Sequence, residues 1–213
     1  MKTILIIGAG EGLSYGVAEK FGKEGYVIGL ISRNLEKLNA LKQKLNNENI
    51  QCFIASANAY DSKELENAIL KIKDNVGSIE VLLYNAAALK MKDLMKENSE
   101  SLVQDFKITV ANAFHCVQFL LEDLKSSHGS VLITGGYFAI EPSHKFGSLS
   151  IGKAGLRSLA FQLHEELKEF GIFVTTLTIN GYIQNSSSTH SPKILAEKFW
   201  YLFKEKSEKE LVY

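Results

Sequence analysis

Short apolar runs alternate with longer amphipathic stretches along the whole chain. The apolar runs fall at 2–8, 26–32, 50–56, 79–84, 129–135 and 172–179, with a shorter one at 210–213. They are continuous rather than alternating, as in Val131-Leu132-Ile133 and Phe173-Val174-Thr175-Thr176-Leu177. Such runs suit strands covered on both faces of a parallel sheet. Between them the spacing predicts helices over 12–24, 34–48, 61–75, 98–125, 148–170 and 191–206. Start signals agree: Asn34 precedes Leu-Glu-Lys, Asp61 has Glu64 three residues on, and Ser191 precedes Pro192. Gly25, Gly77 and Gly171 stand where helices should close before strands. Strand and helix in strict alternation predict an α/β fold, a doubly wound parallel sheet of six or seven strands with helices on both faces. Ligands of such sheets bind beyond the carboxyl ends of the strands, so the residues just after each strand are the ones to weigh.

Composition adds boundaries. The 213 residues show no linker, repeat or low-complexity segment, and 1–213 reads as one domain. Lys plus Arg and Asp plus Glu both number 24, so the formal net charge is zero. Broad nucleic-acid or anionic-membrane binding needs a basic surplus, and this argues against both. Cys52 and Cys116 sit in apolar surroundings without a CxxC or a histidine partner, and read as buried thiols of a reducing compartment. His115, His128, His164 and His190 show no metal spacing, so no metal is expected. No run reaches the ~18 apolar residues of a membrane span, and the first residues lack a signal-peptide cleavage pattern. A cytoplasmic protein is the expectation.

The sharpest chemistry lies near the start. The run Lys2–Ile7 flows into Gly8-Ala9-Gly10-Glu11-Gly12-Leu13-Ser14, a helical pattern follows, and a second strand ends at Ser32-Arg33-Asn34. A glycine turn between strand and helix lets backbone N–H groups approach a pyrophosphate beside the positive end of the helix dipole. The turn resembles the Gly-x-x-x-Gly-x-Gly of the short-chain dehydrogenase/reductase family, with Ser14 in place of the last glycine. The resemblance implies a Rossmann-like dinucleotide-binding domain over nearly the whole chain, with Gly8, Gly10, Glu11, Gly12 and Leu13 at the cofactor. No acidic residue follows the second strand to hold a ribose 2′-hydroxyl. Arg33, flanked by Ser32 and Asn34, offers a charge-assisted fork for a 2′-phosphate, so NADP(H) is favoured over NAD(H).

The resemblance continues down the chain. The family's Asp near the adenine corresponds to Asn58 in Ala57-Asn58-Ala59, which is expected to hydrogen-bond the adenine amino group. Its Asn-Asn-Ala-Gly becomes Tyr84-Asn85-Ala86-Ala87, whose Asn85 is implied to stabilise the central sheet beside the cofactor. Its Pro-Gly becomes Asn180-Gly181, followed by Tyr182-Ile183 along the nicotinamide.

The catalytic positions depart from the family. In Ser148-Leu149-Ser150-Ile151-Gly152-Lys153-Ala154 the lysine is in place as Lys153, but the tyrosine position holds Leu149. The serine position holds Gly136 and the asparagine position Thr109. Leucine can neither donate nor accept a proton. Tyr137 with Lys153 is the most attractive replacement pair, since a nearby cation lowers a phenol's pKa. His144, Ser148 and Ser150 read as loop and cap groups, and Lys153 alone as a holder of the nicotinamide ribose. The function implied is NADP(H)-dependent hydride transfer to or from an unknown carbonyl or alcohol with a degenerate tetrad. The alternative is a catalytically silent dinucleotide-binding sensor or scaffold.

The family also implies a homodimer through helices 98–125 and 148–170. These carry the apolar stripes Phe106, Val110, Phe114, Val117, Leu121 and Leu156, Leu159, Leu163, Leu167. The substrate lid is expected to be short, spanning 184–206 with Phe199, Trp200, Tyr201 and Phe203.

Overall fold

The alternation of apolar runs builds one seven-stranded sheet. A computed structural model describes residues 1–213. The strands are β1 (Thr3–Ile7), β2 (Val27–Ser32), β3 (Cys52–Ser56), β4 (Val81–Tyr84), β5 (Ser130–Thr134), β6 (Phe173–Thr178) and β7 (Glu210–Val212). All pair in parallel, in the order β3-β2-β1-β4-β5-β6-β7. Both faces are covered, as the continuous runs required. In β1, Ile4 and Ile6 enter one core while Leu5 and Ile7 enter the other.

The first core lies under α1 (Leu13–Lys23), α2 (Leu35–Asn47) and α8 (Pro192–Glu205). The second lies under α3 (Ser62–Val76), α5 (Asn112–Phe119), α6 (Leu121–Ser127) and α7 (Gly147–Leu167), while α4 (Ser99–Phe106), which leads towards α5, buries only Asp105. The caps read from the sequence are made. Asn34 accepts from Lys37 N, Asp61 from Lys63 N and Glu64 N, and Ser191 from Ile194 N. Glu64 does not close a box on Asp61, because its carboxylate accepts from Asn58 N at 2.8 Å.

Three expectations are corrected. The stretch 98–125 is not one helix: Lys107–Ala111 is π-helical, and the chain breaks again at Leu120. The hydroxyl of Tyr84 donates to the Ile108 carbonyl at 2.5 Å, fixing a backbone group within the π segment. The first apolar stripe also divides. Val110 and Val117 are core, whereas Phe106 and Phe114 keep 39% and 40% of their surface exposed. Finally, most of 184–206 is no lid. Phe199 and Phe203 are buried, and Phe21 meets Trp200 and Phe203 at ring separations of 5.0 and 5.3 Å. An apolar face on α8 was bound to be drawn into the core, which leaves only the loop 182–190 free beside the cleft.

Candidate functional site

The carboxyl ends of β1, β4, β5 and β6 open into a cavity of about 810 Å³. A second, of about 400 Å³, opens at the ends of β2 and β3. Gly8, Asn85, Ala87 and Leu89 border both. Strand order reverses between β1 and β4, so the pair of cavities straddles the topological switch point.

The glycine turn forms the shared wall. Gly8 has φ +89, and a Cβ there would lie 2.5 Å from the backbone nitrogen of Ala86, so only glycine fits. Its N–H and that of Ala9 donate to the Ile31 carbonyl. Asn85 Nδ2 donates to the Gly8 carbonyl at 2.8 Å, and Thr134 Oγ1 donates to Asn85 Oδ1 at 2.9 Å. Ser14 is more than a small replacement for glycine. Its hydroxyl accepts from Gly10 N at 2.8 Å and donates to Gly10 O at 3.1 Å, closing the turn on itself.

The backbone N–H groups of Glu11, Gly12, Leu13 and Ser14 have no partner within the chain. They stand at the start of α1. A Cβ added at Gly10 or Gly12 would meet nothing within 4 Å, so open space lies beside these donors. Unpaired amides at a helix N-terminus next to open space fit the pyrophosphate of a dinucleotide.

Gly8, Gly10, Gly12, Leu13, Asn85, Ala87, Tyr137, Lys153, Gly181 and Ile183 line the larger cavity. Ser32, Arg33, Asn58, Ala59 and Ala86 line the smaller. Two expected residues are not brought in. The Glu11 side chain is largely exposed, 3.7 Å from Lys44 Nζ. Asn34 spends its side-chain oxygen capping α2, at Lys37 N. Asn58 is placed as expected, but its Oδ1 already accepts from Tyr60 N at 3.1 Å. That oxygen keeps a second lone pair for an amino donor.

Nothing in the sequence pattern singled out Lys90 and Asp105, which line the smaller cavity. Asp105 is buried and takes Lys90 Nζ on Oδ1 at 2.7 Å, while its Oδ2 is buried without a partner. A carboxylate in the middle of a helix carries no signal of its burial until the fold is known.

At the end of β5, Lys153 is 8% exposed and donates to the Thr134 carbonyl at 2.7 Å. It has no acidic partner, and burial pushes its amine down to about 8. Leu149, one helical turn earlier, faces the same cavity. Gly136 is extended, and a Cβ there would meet the Lys153 stem at 3.5 Å, an ordinary contact. Thr109 is buried in the π segment, its Oγ1 accepting from Ala88 N at 3.2 Å.

The pairing of Tyr137 with Lys153 is not what the structure shows. The Tyr137 hydroxyl donates to Glu141 at 3.1 Å, and that carboxylate raises the phenol's pKa instead of lowering it. The cause is local: the short turn 137–139 brings the carboxylate of position 141 back to the phenol hydroxyl. Ser150 is tied to the Ser143 backbone, and His144 is exposed in a short turn.

Comparison with known proteins agrees with this geometry. The family model described as short chain dehydrogenase matches residues 2–191. An uncharacterized oxidoreductase from Staphylococcus epidermidis is 23% identical over 178 residues, covering 83% of this chain and 76% of that protein. An NADPH-dependent 1-acyldihydroxyacetone phosphate reductase from Saccharomyces cerevisiae is 25% identical over 181 residues, covering 84% of this chain and 61% of its own length. Among solved structures, an L-sorbose reductase from Gluconobacter frateurii complexed with NADPH and L-sorbose superposes with a TM-score of 0.90. It shares 18% identity and is matched over 100% of this chain and 94% of its own. An alcohol dehydrogenase from Thermococcus sibiricus complexed with 5-hydroxy-NADP gives 0.89 at 18% identity, over 100% and 96%. At that identity the structural likeness establishes the shared fold.

Proposed function

The chain belongs to the short-chain dehydrogenase family, and from that premise we propose that it binds NADP(H) and serves hydride transfer between the cofactor and a carbonyl or alcohol. The observation that carries this reading is the row of unpartnered amides at Glu11–Ser14, continuous through Gly8 with the cavity bordered by Arg33. When bound, the nicotinamide supplies or accepts the hydride. The chain's own residues do the rest. The turn amides hold the pyrophosphate, and Asn85 keeps Gly8 in place for them. Arg33, which forms no ion pair with another residue, takes the 2′-phosphate. Lys153, a buried cation without an anion, holds ribose hydroxyls, while Gly181 and Ile183 flank the nicotinamide.

Leu149 favours a second reading, a silent dinucleotide-binding sensor or scaffold. It presents hydrocarbon to the cavity where the family has its acid, and Tyr137 is committed to Glu141. Fluorescence titration with NADPH and NADH, followed by a carbonyl screen for cofactor oxidation, separates the two. Turnover supports the enzyme, and tight binding without turnover supports the silent reading. If neither cofactor binds, both fail. Arg33→Ala should weaken NADPH at least tenfold more than NADH, and equal weakening would refute the NADP(H) preference.

The same reading includes a homodimer through the α4–α5 run and α7, where Val103, Phe106, Phe114 and Ile151 leave apolar surface exposed. Sedimentation of wild type and Phe106→Glu tests it. It also includes a cytoplasmic location, suited to the free buried thiols of Cys52 and Cys116, both pushed up to about 12 by burial. No helix is long and apolar enough to cross a membrane.

A further inference from the structure

Lys153 is the only lysine, arginine or histidine that lines the large cavity, and Glu141 the only acid. Glu141 is engaged by the Tyr137 hydroxyl. Other polar side chains of the lining are committed as well: Ser14 to Gly10, and Asn85 and Thr134 to each other. The Lys153 amine donates to one backbone carbonyl, Thr134 O, and meets no carboxylate. Its stem runs along the bare face of Gly136. Leu149, Phe138, Ile179, Ile183 and Leu89 supply the hydrocarbon of the walls.

An amine in apolar surroundings without a counter-ion is disfavoured as an ammonium, so near neutral pH a larger share of it carries a free lone pair than of an exposed lysine. Burial holds Lys153 at about 8, against an ordinary 10.5. The amine is thus a nucleophile that lines a cavity of about 810 Å³.

We propose that in the dinucleotide-free protein Lys153 captures neutral aldehydes bearing an apolar chain, forming an imine on its Nζ. The amine lone pair attacks the carbonyl carbon, and the C=O π electrons move to oxygen. A proton passes from nitrogen to that oxygen, giving a carbinolamine. The hydroxyl takes the remaining nitrogen proton and leaves as water while the nitrogen lone pair closes the C=N bond, with no oxidant or reductant consumed. The walls select an uncharged aliphatic chain, since no second cation in the lining can hold an acidic substrate.

The inference needs no bound dinucleotide and stands apart from the cofactor reading. The test uses the full chain without cofactor, hexanal as the probe and cyanoborohydride to trap the imine as a secondary amine. At pH 7 the intact protein should gain one hexyl group, and peptide mapping should place it on Lys153. Its rate should exceed that of every other lysine at least tenfold. Lys153→Arg, which keeps the charge, should abolish the fast adduct. Should that variant fail to fold, the wild-type peptide map decides alone. Labelling spread over exposed lysines, with Lys153 no faster than they, overturns the proposal. NADPH titration of the same preparation reports on the cofactor reading independently.

Discussion

Asn85 holds Gly8 from three strands later in sequence: its Nδ2 donates to the Gly8 carbonyl at 2.8 Å, while Thr134 ties its Oδ1 to β5. One side chain therefore couples the glycine turn, β4 and β5. Asn85→Ala leaves the Gly8 carbonyl and the Thr134 hydroxyl without these partners. That should cost about 1–3 kcal/mol of stability in urea unfolding. NADPH affinity should fall about tenfold by fluorescence titration, because the turn loses its brace. Unchanged affinity would mean that Asn85 does not position the turn.

Lys153 ties stability to alkaline pH. Its folded value is lowered to about 8 from 10.5, so between these values the unfolded chain binds more protons than the folded one. Stability then rises as pH climbs through that window, and the cost of burying the ammonium is present in full below it. Lys153→Met removes the cost. The variant should be more stable than wild type at pH 7, by up to about 3 kcal/mol at 1.36 kcal/mol per decade. The difference should vanish by about pH 10.5 in paired thermal unfolding curves. Equal stability at pH 7 and pH 10 would show that Lys153 is hydrated in solution.

The edge strand gives an acid-side prediction. Arg157 grips Glu210 at both oxygens, at 2.8 and 2.6 Å, and Thr178 donates to the same carboxylate at 2.6 Å. Burial alone would raise the Glu210 pKa, but the Arg157 and Thr178 contacts outweigh it and the net shift is downward. The stabilisation is therefore present above the ordinary glutamate value of 4.5 and is lost as pH falls below it. Arg157→Ala should cost about 1–3 kcal/mol at pH 7, since it strands a mostly buried carboxylate. Hydrogen exchange should show β7 opening first. At pH 3 the variant and wild type should differ far less.

The fold was legible because its signals are local and redundant. Continuous apolar runs marked buried parallel strands, and Asn34, Asp61 and Ser191 marked helix starts within a residue of where they occur. The glycine turn was legible for the same reason, since a positive φ at Gly8 calls for glycine on local grounds. What the sequence hid depends on contacts between distant segments. The π segment at Lys107–Ala111 is pinned by Tyr84, from another strand. Asp105 is buried and takes its lysine partner from a loop earlier in the chain. Phe199 and Phe203 read as lid residues because an apolar helix face looks alike whether it meets a substrate or the core. Tyr137 bonds Glu141, four residues on, a contact that depends on how the turn after β5 folds.

The proposed degeneracy of the tetrad can be tested by refilling it. Leu149 faces the cavity one turn before Lys153, at the position where the family resemblance implies the acid. Gly136 has extended backbone, and a Cβ there makes only ordinary contact with the Lys153 stem, so a serine is sterically accepted. Leu149→Tyr with Gly136→Ser restores a phenol beside a cation and a hydroxyl to orient a carbonyl. General acid catalysis is worth about 10²–10⁴ in rate, so NADPH oxidation against a panel of carbonyl compounds should rise at least tenfold over the parent chain. Leu149→Phe with Gly136→Ser, which lacks only the hydroxyl, should show no gain. If the refilled variant folds and binds NADPH yet gains nothing over the Phe control, the missing phenol is not what limits turnover. The obstacle would then lie in how the cavity receives the substrate.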